Sequence, residues 1–223
     1  MSVPYGDRSV AGKALARALV AYRDRPDVVV LGLPRGGVPV AYEVAIALHV
    51  PLDVFAVRKI GVPGHEELAM GAVSADGTSV SFPPIVAAYA IEPKQFDALL
   101  HREHLEAQRR ELAYRDSRVR PPLQDKTVIL VDDGLATGST MYAAVAALRA
   151  HHPRQVVVAV PVGATETCDM LRPHVDQIVC LVSPEPFHAV GLYYQNFGQT
   201  SDDEVRALLA DAYAREPHQW TSH

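Results

Sequence analysis

Cysteine is scarce: Cys168 and Cys180 are the only two in 223 residues. Both border apolar runs, so they read as reduced core thiols rather than a disulfide framework, and no metal-ligand spacing involves them. Long apolar runs are missing as well. No segment approaches the ~20 apolar residues needed to span a bilayer, and the N-terminus has no signal-peptide apolar region. A cytoplasmic protein with no membrane partner is therefore expected. An excess of positive charge is also lacking. The net charge of -5 and a pI near 6.0 argue against a nucleic-acid partner. There is no internal repeat, low-complexity tract, helix-turn-helix pattern or obvious linker. The 48% hydrophobic content permits a full core, and the length suits one α/β domain with an embellishment.

The most informative stretch runs from Val128 to Met141. Val128-Ile-Leu-Val131 is a short apolar run of the kind found in strands buried on both faces. Two adjacent carboxylates, Asp132 and Asp133, end it. Gly134 to Thr140 then form a loop of small and hydroxylated residues, and Met141, Val145 and Leu148 recur at helical spacing. Strand, acidic pair, small-residue loop and helix N-terminus follow in that order. Backbone N–H groups at such a helix start, with the Thr137, Ser139 and Thr140 hydroxyls, suit a phosphate. Carboxylates beside a phosphate cradle suit sugar hydroxyls or a phosphate-bound Mg²⁺. The motif is neither a nucleotide-triphosphatase loop nor a dinucleotide turn. Gly134 and Gly138 are separated by three residues rather than four, and no Lys precedes the Ser/Thr.

Two further segments carry cations and glycines. A strand over Val28 to Leu33 runs into Pro34-Arg-Gly-Gly37, just before an Ala-rich helix. Gly36 and Gly37 allow close backbone approach, and Arg35 contributes a permanent charge. A strand over Leu52 to Val57 ends in Arg58-Lys59, two cations placed for a polyanion where α/β sheets collect ligands. From Gly61 to Gly77 the four glycines and His65, Glu66 and Glu67 read as a lid, with those three residues as acid/base candidates.

The Val128–Met141 stretch resembles the ribose-phosphate signature of type I phosphoribosyltransferases, which use phosphoribosyl pyrophosphate (PRPP). The resemblance extends from about Val28 to Phe197. It implies a Mg²⁺-dependent enzyme that transfers phosphoribosyl to a heterocyclic nitrogen acceptor and releases pyrophosphate. By that likeness Asp132, Asp133, Arg58 and Lys59 serve catalysis. Asp132 and Asp133 also meet the metal, through water or ribose hydroxyls. Arg35, Gly36, Gly37, Gly134, Ala136, Thr137, Gly138, Ser139 and Thr140 hold PRPP. The family's loop at Pro34-Arg35 often contains a cis peptide. A segment after the last core strand helps bind the acceptor in such enzymes, which points to Phe187, Tyr193 and Tyr194. Two departures bear on the acceptor: Ala136 stands where 6-oxopurine enzymes carry Asp, and Pro161-Val-Gly-Ala-Thr165 has no base-selecting Lys. A PRPP sensor without turnover and a PRPP hydrolase remain open as alternatives.

The expected fold is a doubly wound α/β domain with a mainly parallel five-stranded sheet. Residues 1–223 form a single domain, with an insertion or lid over about 61–122 and a hood contribution over about 184–200. Pro93 opens a long charged helix to about Arg115. Phe96, Leu100, Ala107 and Tyr114 mark one side of it; Leu105 and Leu112 lie nearly opposite. The second stripe is suited to solvent or to a second subunit, giving a homodimer.

Overall fold

Strands that read as unbroken β-branched runs are the ones covered on both faces. The structure, a computed structural model, describes residues 5–115 and 118–215. In chain order the elements are α1 (Arg8–Ala18), β1 (Val28–Gly32), α2 (Gly37–Leu48), β2 (Leu52–Val54), β3 (Val57–Val62), β4 (His65–Ser74), β5 (Ser79–Ser81), α3 (Pro83–Ala88) and α4 (Pro93–Arg115). They continue with β6 (Thr127–Val131), α5 (Ser139–Arg149), β7 (Gln155–Val162), α6 (Thr165–Leu171), β8 (Gln177–Val182) and α7 (Asp202–Arg215). The central sheet has five strands in the order β2-β1-β6-β7-β8, and every pairing in it is parallel.

Alternation along the strands divides the core into two layers. Val28, Val30, Ile129, Val131 and Val157 face Leu15 of α1, Val44 and Leu48 of α2, and Val205 and Leu209 of α7. Val29, Leu31, Val128, Leu130 and Val156 face Met141, Val145 and Leu148 of α5, with Leu171 of α6. Helices thus cover both faces, as the doubly wound reading expects. The carboxyl ends of β1 and β6 meet side by side, with Gly32 opposite Val131.

The region after β2 differs from the sequence reading. The strand expected over Leu52 to Val57 stops at Val54, and Val57 begins a second, antiparallel sheet of β3, β4 and β5. The segment read as a lid is the β3–β4 hairpin. Only its tip is exposed, while Ala69 to Ser74 are buried. Gly71 is there for close approach rather than flexibility, because a Cβ on it would lie 2.6 Å from the Val80 carbonyl oxygen on β5. Small residues that let strands approach look, in sequence, like loop residues. Ile60, Val62 and Met70 form a satellite core with Phe96, Leu99 and Leu100 of α4. Leu105 and Leu112 on the other side of that helix are exposed. Among the described residues, no helix is long and apolar enough to cross a membrane.

Candidate active site

β6 ends by delivering Asp132 and Asp133 to the rim of the sheet, and the chain returns at once to the next strand. The Leu135 N–H donates to the Val162 carbonyl at 2.9 Å, and the Ala164 N–H donates to the Leu135 carbonyl at 2.9 Å. This pins the loop at its middle. The next residue is held by α6, where the Thr167 hydroxyl donates to the Ala136 carbonyl at 2.5 Å. Gly138 has φ +73° at the start of α5, and a Cβ there would meet Thr167 Cγ2 at 2.4 Å. No side chain caps α5. Its first-turn N–H groups therefore remain donors for an anion, flanked by Thr137, Ser139 and the exposed Thr140. Gly134 packs against Val190 of the 184–200 segment.

The Pro34–Gly37 loop lies directly on the acid pair. A Cβ on Gly36 would come within 2.1 Å of Asp133 Oδ2, and one on Gly37 within 2.6 Å of the Val131 carbonyl oxygen. The Pro34-Arg35 peptide is cis, the form implied by the resemblance. The Arg35 side chain turns away toward α7, with Nη1 3.6 Å from Asp202 Oδ1.

Asp132 and Asp133 do not share one environment. The Asp133 N–H donates to Asp132 Oδ1 at 2.8 Å. Burial, and then the charge of Asp133, push the Asp132 carboxyl well above the usual carboxylate range. Burial also raises Asp133, opposed by Arg8. Arg8 Nε and Nη2 both approach Asp133 Oδ2 at 2.8 Å. The same guanidinium donates to the Gly198 carbonyl at 2.7 Å and lies 4.1 Å over the Phe197 ring. Neither Arg8 nor this clamp was visible in the sequence, where nothing sets Arg8 apart from the other arginines.

The 184–200 segment closes over the pair from the other side. Tyr194 is 5% exposed; its hydroxyl donates to the Asp133 carbonyl at 2.5 Å, and its ring packs between Tyr5 and Phe197. Its hydroxyl ties the 184–200 segment to the backbone of Asp133, beside the position expected for the acceptor. Phe187 and Tyr193 stack on each other, with centroids 5.6 Å apart.

Arg58 and Lys59 are placed differently from the expectation. They lie within β3 rather than at the carboxyl end of a parallel strand. Arg58 pairs with Glu103 of α4 at 2.9 Å, and Lys59 pairs with Glu67 of the hairpin at 2.8 Å. The sequence gives no hint of either partner. Glu66 accepts from the Gly64 N–H at 3.2 Å, and His65 packs on Tyr89. All three acid/base candidates thus belong to the hairpin, and no contact joins them to the acid pair among the described residues.

Among the described residues, no three His, Cys, Asp or Glu converge on one point. The donor set instead fits a hard cation that shares its shell with substrate phosphates and binds through one or two carboxylates. Asp132 supplies half-buried oxygens, and its carboxyl is pushed up first by burial and then by the neighbouring Asp133 charge, an arrangement that a bound cation would relieve.

A parallel sheet covered by helices on both faces, with the uncapped start of α5 beside paired carboxylates at its rim, defines a doubly wound α/β protein. The phosphoribosyl transferase domain family matches residues 9–195, and the chain belongs to that family. Two Mycobacterium tuberculosis proteins, from strains H37Rv and CDC 1551, each bear the name "Putative phosphoribosyl transferase". They are 46% identical over 209 residues, covering 94% of this chain and 47% of their own length. This chain thus spans about half the length of the curated relatives it matches. The crystal structure of TT1426 from Thermus thermophilus superposes with a TM-score of 0.86 at 41% identity, covering 93% of this chain and 98% of that one.

Proposed function

We propose that this domain is a Mg²⁺-dependent phosphoribosyltransferase that moves phosphoribosyl from PRPP to a heterocyclic nitrogen acceptor and releases pyrophosphate. One observation carries the reading. The Gly36–Gly37 backbone presses onto Asp132 and Asp133, beside the uncapped start of α5, so a phosphate cradle, a sugar-hydroxyl acceptor pair and a second glycine loop meet at one rim.

In this reading the α5 N-terminus and the Thr137, Ser139 and Thr140 hydroxyls hold the ribose phosphate. The Asp132 and Asp133 carboxylates accept from the ribose hydroxyls and stabilise the positive charge that develops on the sugar ring. Bound Mg²⁺ would neutralise the diphosphate and make it a better leaving group. Arg8 and Tyr194 keep the acid pair aligned, and the 184–200 segment shields the sugar from water. The acceptor lies toward Phe187 and Tyr193, whose ring faces bind planar heterocycles without choosing among them. Arg58 and Lys59 reach the leaving group only if their pairs with Glu103 and Glu67 exchange. A reducing cytoplasmic setting suits the two unbridged thiols.

Hypoxanthine and guanine should be poor acceptors. A 6-oxopurine presents a carbonyl that wants a donor. Ala136 and the Pro161–Thr165 stretch supply neither the Asp nor the Lys of enzymes selective for such rings. A buried carbonyl without its donor costs about 1–3 kcal/mol, roughly ten- to a hundredfold. The test is a panel of acceptors with PRPP and Mg²⁺, read by pyrophosphate release. Release that depends on a non-oxopurine heterocycle is expected. Hypoxanthine or guanine matching the best acceptor would refute the selectivity argument. Release with water alone would identify a hydrolase, and tight PRPP binding without release a sensor.

A further inference from the structure

Two thiols that the proposed transfer does not use meet beside the phosphate loop. Cys168 lies on α6 and Cys180 on β8, and both are free. A Cβ on Gly163 would stand 3.3 Å from the Cys168 sulfur and 3.2 Å from the Cys180 sulfur, so one bare glycine backbone lets them converge. We propose that Cys168 and Cys180 are a modification site, closing to a reversible disulfide with a hydroperoxide as oxidant and thereby weakening the grip of the 134–140 loop on a phosphate. The bridge stands independently of the transferase reading; its effect on the loop rests on that reading.

The two sulfurs differ in the way such a reaction needs. β8 is the edge strand of the central sheet, and Cys180 is half-buried there, whereas Cys168 is 5% exposed. Its hydrogen bond with Cys168 holds the Cys180 thiol below the usual thiol range, against burial and with help from the Ser183 hydroxyl, whose oxygen is 3.4 Å away. The same bond, and then burial, push the Cys168 thiol up. The thiolate is the nucleophile toward peroxides, so Cys180 attacks first. It takes the outer oxygen of the hydroperoxide, the O–O bond breaks, and the alkoxide leaves with the proton that Cys180 gave up. A sulfenic acid remains on Cys180. The Cys168 sulfur then attacks the Cys180 sulfur, the S–S bond forms, and hydroxide leaves with the Cys168 proton as water. Two thiols thus give two electrons to one hydroperoxide, yielding one disulfide, one alcohol and one water.

The link from this pair to the loop is short. The Cys168 N–H donates to the Ala164 carbonyl at 3.0 Å, and the Ala164 N–H donates to the Leu135 carbonyl at 2.9 Å. Thr167, the residue before Cys168, holds the Ala136 carbonyl. On the other side, the Gly163 N–H donates to the Val182 carbonyl at 3.1 Å, two residues beyond Cys180. A covalent S–S bond is shorter than any non-bonded contact between sulfurs. Closure therefore draws α6 and β8 together across Gly163 and shifts Thr167 against Ala136.

The test treats the whole protein with a small molar excess of hydrogen peroxide. Remaining thiols are alkylated and counted by mass under non-reducing conditions. Ribose 5-phosphate is titrated calorimetrically before oxidation, after it, and after dithiothreitol. The reduced protein should take an alkyl group on each cysteine and the oxidised protein none, with a peptide linking Cys168 to Cys180. Ribose 5-phosphate should bind about fivefold more weakly when oxidised, the factor for losing one neutral hydrogen bond, and dithiothreitol should restore it. Cys180→Ser should bind like the reduced wild type and ignore peroxide. Thiols still alkylated after peroxide, cysteines linked between two chains, or sulfinic acid in place of the bridge would each overturn the site. A bridge that leaves the affinity unchanged, or an equal loss in Cys180→Ser, would overturn the effect on the loop. No ribose 5-phosphate binding by the reduced protein would overturn the transferase reading and that effect together, while the alkylation result still decides the bridge.

Discussion

Replacing Gly36 by alanine sets two effects of opposite sign against each other. The residue has φ -60° and ψ -30°, a conformation open to any residue. By backbone entropy alone, alanine should stabilise the fold by about 0.5–1 kcal/mol. Against this stands a contact of 2.1 Å from the new methyl carbon to Asp133 Oδ2, which forces the carboxylate back by roughly 1 Å or more to reach ordinary contact. That oxygen takes both Arg8 bonds at 2.8 Å, and the two side chains are only 13% and 15% exposed. Breaking a buried pair outright costs about 3–5 kcal/mol; here the arginine keeps Gly198 and Phe197, so the loss is smaller. The steric term should win, with a net destabilisation of about 1–3 kcal/mol. For a chain of this size that lowers Tm by about 2–12 °C. Denaturant unfolding gives the stability, and thermal shift with PRPP and Mg²⁺ should show a reduced response. A variant more stable than wild type with an unchanged ligand response would show that glycine is not required by the carboxylate at this position.

Other perturbations probe separate links. PRPP with Mg²⁺ at 100 times its Kd should stabilise the wild type by about 2.7 kcal/mol. Asp132→Asn and Asp133→Asn should each shrink that shift, and equal shifts in all three proteins would remove the acid pair from the site. Thr167→Val deletes the hydroxyl bond to the Ala136 carbonyl. It should cost about 1 kcal/mol and weaken ribose 5-phosphate severalfold by titration, whereas an unaltered affinity would mean that the loop does not depend on this prop. Asp53, paired with Arg115 at 2.6 Å, has its carboxyl pushed up to about 6, chiefly by burial and against the pull of Arg115. Because the folded state holds this proton more tightly than the unfolded chain, the contribution is complete below about pH 4 and is lost as pH rises through about 6, a fall of about 3 kcal/mol. Asp53→Asn should flatten that part of the stability–pH curve, and identical slopes in both proteins would contradict the role of burial.

How far the site could be read from sequence depends on how far apart its parts lie along the chain. The local structure of Val128 to Thr140 was legible because strand, carboxylates, loop and helix start are contiguous. Strands β1, β6 and β7 were legible for a related reason: burial on both faces leaves unbroken runs rich in β-branched residues. The hairpin from Val57 to Ser74 defeated the same logic. Gly61 and Gly71 serve close strand approach, yet glycine near charged residues reads as a loop. The partners of the acid pair were hidden more deeply. Arg8 reaches Asp133 across 125 positions and Tyr194 across 61, and neither residue type announces its destination. These distant contacts also bear on chemistry. Asp133 is already engaged directly by an internal cation, whereas Asp132 feels Arg8 only through its field and is shifted chiefly by burial. Under the proposed transferase reading, an incoming Mg²⁺–phosphate group should therefore approach Asp132, the carboxylate without a direct cation bond, leaving Asp133 chiefly to orient the sugar.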